Sequence, residues 1–186
     1  MGERHSKRER DPLDWYVEEE WNVQALFDRI QFRGHIHDPC CGIGTIVKVT
    51  KKNGYVATGS DIVKRARGFK VSDFLTSEER HENIIMNPPY KLAHRMILRA
   101  LALTQGRVAA LMPIKFLAGQ GRYKLFTDPR LDRIIIFSRR PNMPPGEELM
   151  KHGESIRGGG SIDYCWIVWT QLRYRQLKDP DVEWTL

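Results

Sequence analysis

Cysteine is scarce in this 186-residue sequence: there are three, and two of them, Cys40 and Cys41, are adjacent. Such a set cannot lay out a disulfide framework, so the fold must rest on its core, and a reducing cytoplasm is the expected compartment. Long apolar runs are also missing. None approaches the roughly 20 residues that span a bilayer, so no membrane segment is expected. Met1 to Asp11 is charged and lacks the apolar stretch of a secretory signal. There is no internal repeat. His35 and His37 lie two apart on a strand-like stretch and so share a face, but no third ligand stands nearby and no metal site is expected.

What is present points to one soluble domain. Apolar residues make up 41% and charged residues 28%, ordinary proportions for a chain of this length with a sizeable core. The net charge of +7 suits a polyanionic partner, most simply nucleic acid, although a basic surface without a partner has the same signature. A monomer is expected.

Apolar runs and turn residues alternate along the chain. Residues 1–13 read as a flexible basic arm, and 14–186 as a single domain. A helix is predicted from Glu18 to Gln31, with Trp15, Tyr16 and Trp21 packing nearby. Strands are predicted at 35–38, 55–60, 69–71, 84–87, 107–113, 133–138 and 164–172. Helices are predicted over 45–52 and 92–104, with a short one at 123–126. Strands alternating with helices argue an α/β fold: a mostly parallel seven-stranded sheet with helices on both faces. The last two strands lack a helix between them, so an antiparallel strand is expected towards one edge. Residues 138–161 carry Pro141, Pro144, Pro145 and a Gly158-Gly159-Gly160 run, and read as a long loop.

Two stretches carry chemistry. Asp38-Pro39-Cys40-Cys41-Gly42-Ile43-Gly44 lies between a strand and a helix, where glycines let a ligand approach the main chain. Asp61 ends the next strand and can accept hydrogen bonds from ribose hydroxyls. The third glycine of a dinucleotide fingerprint is missing, which disfavours a pyrophosphate and suits a nucleoside. Asp73-Phe74 offers an acceptor and an aromatic face for an adenine. In the second stretch, Asn87-Pro88-Pro89-Tyr90, two prolines stop the apolar strand Ile84-Ile85-Met86 in a rigid turn.

The chain resembles class I S-adenosylmethionine (SAM)-dependent methyltransferases over about residues 15 to 172. Asp38 to Gly44 is similar to that family's glycine-rich motif, Asp61 to its ribose-binding acid, and Asp73-Phe74 to its adenine-contacting pair. The resemblance implies a Rossmann-like fold and the cofactor S-adenosyl-L-methionine. The implied cofactor residues are Tyr16, Asp38, Cys40, Gly42, Gly44, Asp61, Ile62, Asp73 and Phe74. Asn87, Pro88, Pro89 and Tyr90 resemble the catalytic motif of amino-group methyltransferases. The Asn87 side-chain oxygen and a proline carbonyl would accept the two N–H bonds of an exocyclic amine, and Tyr90 would stack on the base. Positioning and electrostatics would carry the rate. Pro39-Cys40 superficially resembles a cytosine-C5 nucleophile motif, but it sits in the cofactor loop, so that role is rejected.

The order of motifs resembles one group of DNA adenine-N6 methyltransferases, small phage and prophage members among them. A duplex target would require the base to leave the stack. DNA stands ahead of RNA as the expected partner. The same tetrapeptide also occurs in RNA base methyltransferases and in release-factor glutamine methyltransferases. The latter usually carry an extra helical domain, and about 34 residues precede the first strand here. A nucleic-acid-binding module on an inactive fold is the non-enzyme alternative. No segment is large enough for a separate target-recognition domain. Arg139, Arg140, Lys151 and Arg157 of the 138–161 loop are the candidate phosphate contacts, and a short recognition sequence or a partner is expected.

Overall fold

The computed structural model describes residues 14–153, 160–174 and 180–185. The expected arm at 1–13 and the candidate Arg157 lie outside them. The strands are β1 (Ile36–Asp38), β2 (Ala57–Asp61), β3 (Lys70–Val71), β4 (Asn83–Met86), β5 (Arg107–Pro113), β6 (Leu131–Phe137), β7 (Tyr164–Thr170) and β8 (Asp181–Thr185). They form one sheet in the order β3-β2-β1-β4-β5-β7-β6-β8. Only β7 runs antiparallel to its neighbours, β5 and β6; every other pairing is parallel.

The sheet therefore has eight strands among the described residues, not seven. The extra strand, β8, lies in the stretch read as a polar tail and pairs with β6. Its residues alternate in burial, with Val182 and Trp184 exposed. Asp181 and Glu183 instead face cations: Arg133 lies 3.3 Å from Asp181 and 2.8 Å from Glu183, and Arg29 reaches Glu183 at 3.8 Å. An edge strand held by charge on one face has no apolar run to announce it.

Helices α1 (Glu20–Phe27) and α2 (Thr45–Lys52) cover one face of the sheet, and α3 (Ala93–Leu103) and α4 (Tyr123–Phe126) the other. β7 is buried along its whole length. Its two indoles point to opposite faces and both are satisfied: Trp166 donates to the carbonyl of Asn22 (2.7 Å) and Trp169 to that of Leu125 (3.1 Å). Ile84, Ile85 and Met86 in β4 are fully buried. Each contributes roughly 1.5–3 kcal/mol, so the turn after β4 leaves from a fixed point.

Two local readings change. α1 is shorter than expected at both ends: Glu18 and Glu19 belong to an extended segment before it, and the helix stops at Phe27, four residues before Gln31. The segment read as a loop at 138–161 contains a helix, α5 (Gly146–His152), seated by buried Leu149. His35 and His37 do share a face: both hydrogen-bond Thr58 Oγ1, at 3.0 and 2.9 Å. No described helix is long and apolar enough to cross a membrane.

Candidate active site

The site forms where β1, β2 and β4 end together, the edge at which open parallel sheets bind ligands. Asp38, the last residue of β1, is 1% exposed, and its Oδ1 accepts the Cys40 amide at 3.1 Å. Its Oδ2 is buried without a hydrogen-bond partner. Burial first, and then the neighbouring Glu18 carboxylate, hold the Asp38 carboxyl well above the usual carboxylate range. The chain then turns through Gly42 and Gly44, both at positive φ (51° and 91°), and enters α2. A Cβ on Gly42 would stand 2.7 Å from the Trp15 indole nitrogen, so glycine is required there by backbone and by space.

Asp61 closes β2 and fastens this loop. Its Oδ2 accepts the amide of Gly42 (2.9 Å), its Oδ1 that of Val63 (3.0 Å), and Arg65 Nε stands 3.6 Å from Oδ1. The Arg65 guanidinium lies over the Trp15 ring, 3.9 Å from its centroid. Asp73 follows β3 and takes the Leu75 amide at 2.9 Å, while Phe74 beside it is buried.

The turn after β4 brings in Asn87. Its Nδ2 donates to the carbonyl of Tyr16 (2.8 Å) and to Glu18 Oε2 (3.0 Å), and its own carbonyl accepts from the Cys40 thiol (3.4 Å). Both N–H bonds of the amide are thus committed, and Oδ1 accepts no hydrogen bond from a described residue. Tyr90 stacks on Tyr16, with ring centroids 5.8 Å apart and planes 5° from parallel, and shares a 2.9 Å hydrogen bond with the Tyr164 hydroxyl. Burial and that partner push the Tyr90 hydroxyl well up, and burial raises Tyr164 to about 12, so both stay protonated at neutral pH.

Residues 14–18 form a strap across this edge of the sheet. Val17 donates to the Pro144 carbonyl (3.0 Å), the Gly146 amide donates to the Trp15 carbonyl (2.9 Å), and Tyr16 bridges Pro145. The Trp15 ring sits where a side chain on Gly146 would have to go.

Most of the expected site residues meet around one cavity of about 860 Å3, its open mouth included. Tyr16, Cys40, Gly42, Asp61, Ile62, Asp73, Phe74, Asn87 and Pro89 line it. Asp38 lies directly behind the loop, while Gly44 lines a separate groove with Phe69, where it opens α2. Pro88 is buried behind the turn, and Tyr90 packs between Tyr16 and Tyr164. Cys40 and Cys41 are both held well above the ordinary thiol range, chiefly by burial, which leaves no thiolate for nucleophilic work.

The three described candidate phosphate contacts, Arg139, Arg140 and Lys151, lie apart from this cavity's lining. Arg140 is paired with Asp163 at 2.7 Å, Arg139 lies over the Trp21 ring, and Lys151 is exposed in the last turn of α5. Sequence reasoning passed over Glu18, Trp15 and Arg65. Nothing marked Glu18 off from Glu19 and Glu20 beside it; only the fold turns it inward, to 6% exposure.

No family model and no curated protein sequence matches the chain. Solved structures do match by shape. One chain, named as the modification subunit of a type I restriction enzyme from Vibrio vulnificus YJ016, superposes with a TM-score of 0.57 at 12% identity, over 89% of this chain and 45% of that one. This protein thus spans under half of that subunit's length. A chain named as an RNA methyltransferase from Pyrococcus horikoshii gives 0.57 at 14% identity, over 82% and 80%. Magnesium protoporphyrin IX methyltransferase from Synechocystis PCC 6803, solved with SAM bound, gives 0.54 at 14% identity, over 82% and 79%. At 12–14% identity, what these proteins share with this chain is the fold. The chain has the Rossmann-like α/β fold of SAM-dependent methyltransferases.

Proposed function

We propose that this protein is a SAM-dependent methyltransferase that modifies an exocyclic amino group, adenine N6 in DNA before other targets. The observation that carries the proposal is Asn87, an amide with its nitrogen tied down and its oxygen left over, on the wall of the cavity that Asp61, Asp73 and Phe74 also line.

The residues present suit the cofactor. Each oxygen of Asp61 already holds one backbone amide and keeps a lone pair for a ribose hydroxyl. Asp73 and Phe74 supply an acceptor and a ring face for the adenine. Asp38 Oδ2, a buried oxygen without a partner and close to Glu18, suits a ligand ammonium. When bound, SAM supplies a sulfonium methyl that passes to the amine nitrogen as the C–S bond breaks, the displaced proton leaving to water.

An adenine amine is a poor nucleophile because its lone pair is delocalised into the ring. Asn87 Oδ1 and a proline carbonyl of the turn would accept its two N–H bonds, favouring a pyramidal nitrogen with its lone pair directed for attack. Neither group needs to take the proton, since a methylated cationic nitrogen is strongly acidic. The protonated tyrosine pair, Tyr90 and Tyr164, would offer the base an uncharged aromatic wall. The net charge of +7 favours a nucleic acid over a protein substrate. We infer a short recognition sequence or a partner that supplies one, since the 138–153 segment spends contacts on the strap.

The test is a transfer assay with labelled SAM offered to duplex DNA, structured RNA and a release factor, followed by digestion and identification of the product. N6-methyladenine in DNA, absent with Asn87→Ala, is the expected result. Label in RNA or protein alone would move the substrate assignment. SAM binding without transfer to any of the three would leave the amino-group assignment without support, and no SAM binding by calorimetry would sink the enzyme reading.

A further inference from the structure

We propose that Glu18 is a positioning residue for the catalytic amide: its carboxylate locks Asn87 with the side-chain oxygen turned towards the target amine and makes that oxygen a stronger acceptor. The inference deepens the reading of the site as an amino-group methyltransferase and rests on it.

An asparagine amide is nearly symmetric in shape, and a half-turn about its last bond exchanges a donor for an acceptor. An Asn87 in the wrong orientation would present N–H groups to an N–H target, and the site would repel its substrate. The structure removes that choice. Nδ2 donates to the Tyr16 carbonyl and to Glu18 Oε2, neither of which can act as a donor in return while Glu18 is ionised. A flipped amide would set Oδ1 against two acceptors, the Tyr16 carbonyl and the Glu18 carboxylate. The third polar atom of Asn87, its carbonyl oxygen, accepts from the Cys40 thiol, so the backbone is held as well.

The carboxylate does more than the Tyr16 carbonyl alone can do. A charge-assisted hydrogen bond is stronger than a neutral one, and polarisation passes along a chain of such bonds. Negative charge at Nδ2 raises the electron density at Oδ1, the atom that must attract a weakly acidic amine proton. Glu18 is 6% exposed, so solvent does little to screen this effect. The strap keeps Glu18 in place through Val17 and the Pro144 carbonyl next to it. Glu20, two residues on, is a surface residue paired with Lys48 and Lys52, and provides an internal control for loss of charge.

The experiment compares Glu18→Ala, Glu18→Gln and Glu20→Ala with the unaltered chain in three measurements: SAM affinity by calorimetry, single-turnover methyl transfer at saturating SAM, and the Asn87 side-chain amide signals in a nitrogen–proton correlation spectrum, assigned by their loss in Asn87→Asp. Glu18→Ala is expected to lower the transfer rate about 100-fold while SAM affinity stays within about 3-fold, as a misplaced contact would. Glu18→Gln can still accept from Nδ2 but carries no charge, so it should recover only part of that loss. Glu20→Ala should match the unaltered chain. In the spectrum, the two Asn87 amide protons should be well separated and slow to exchange, and should lose both properties in Glu18→Ala.

Wild-type transfer by Glu18→Ala would overturn the proposal. So would a loss that appears in SAM affinity instead of rate, or an equal loss in Glu20→Ala. If the unaltered chain methylates nothing, the reading of the site fails while the amide signals still decide whether Glu18 locks Asn87. Unchanged Asn87 signals in Glu18→Ala would overturn the lock whatever the activity.

Discussion

On one side of the cavity, Asp38 takes the amide of Cys40 and Asp61 takes that of Val63, each two residues further along the chain. On the other side, Asn87 is held by Tyr16 and Glu18, which lie 71 and 69 residues away. The proposed cofactor side is built from short-range loops at strand ends, tied across neighbouring strands by the Gly42 amide to Asp61, the Cys41 amide to the Ser60 carbonyl and the Ser72 amide to the Asp61 carbonyl. The target side is assembled from three distant parts: the strap, the turn after β4, and the 144–146 segment that anchors the strap. A half built from local turns should survive the loss of the other, whereas the half assembled from distant segments should be the more dependent of the two.

Asn87→Ala breaks the comparison most sharply. It is expected to lower methyl transfer by about 100- to 1,000-fold, the usual cost of losing one transition-state hydrogen-bonding group. SAM affinity should hardly change. A calorimetric Kd that rose in step with the rate loss would show the two halves to be one.

Acid is the next largest lever, and it acts on the flank of the cofactor side. His37 is held at about 4, by burial and then by the stacked His81 ring, against 6.5 when exposed. The fold therefore prefers the neutral ring. Its contribution is complete above pH 6.5 and drains away as pH falls from 6.5 towards 4, to a total of about 3 kcal/mol. Urea unfolding at pH 7.5 and 4.5 should show this loss, and His37→Leu should flatten it. An unchanged slope in that variant would assign the acid sensitivity elsewhere.

Asp61→Ala should weaken SAM binding by about 10- to 100-fold if Asp61 holds the ribose as proposed. Transfer at saturating SAM should remain above that of Asn87→Ala, because Asn87 keeps its partners. Trp184→Ala should do least. The ring is 61% exposed on the sheet's edge, far from both halves, and a stability change within about 0.5 kcal/mol is expected by thermal melting.

The same division explains what could be read from the sequence. The mostly parallel sheet, an antiparallel strand towards one edge and the bounds of β5 followed from apolar runs and their spacing, because the central strands are buried and say so in composition. The residues proposed to hold the cofactor could be picked out because glycines and carboxylates at strand ends carry a local signal, and most of them do line one cavity. β8 was not, since its buried side is secured by Arg29 and Arg133 rather than by apolar contact. Nor was α5, whose seven residues follow three prolines and offer one buried leucine. Glu18 was illegible for another reason: a carboxylate among three looks like a solvated helix start until a partner 69 residues away claims it. Tyr16 was chosen for its ring, yet its main-chain oxygen is what reaches Asn87.

The strap also bears on the order in which this chain becomes competent. Contacts between sequence-distant segments close large loops and form slowly compared with local turns. β1, the glycine turn and β2 can come together from fewer than thirty consecutive residues, whereas the lock on Asn87 waits for residues 14–18 to meet both residue 87 and residues 144–146. A refolding experiment followed by SAM binding and by transfer should therefore see the first recover ahead of the second. On the proposed function, a partly folded chain would hold its methyl donor before the amide that directs transfer was in place.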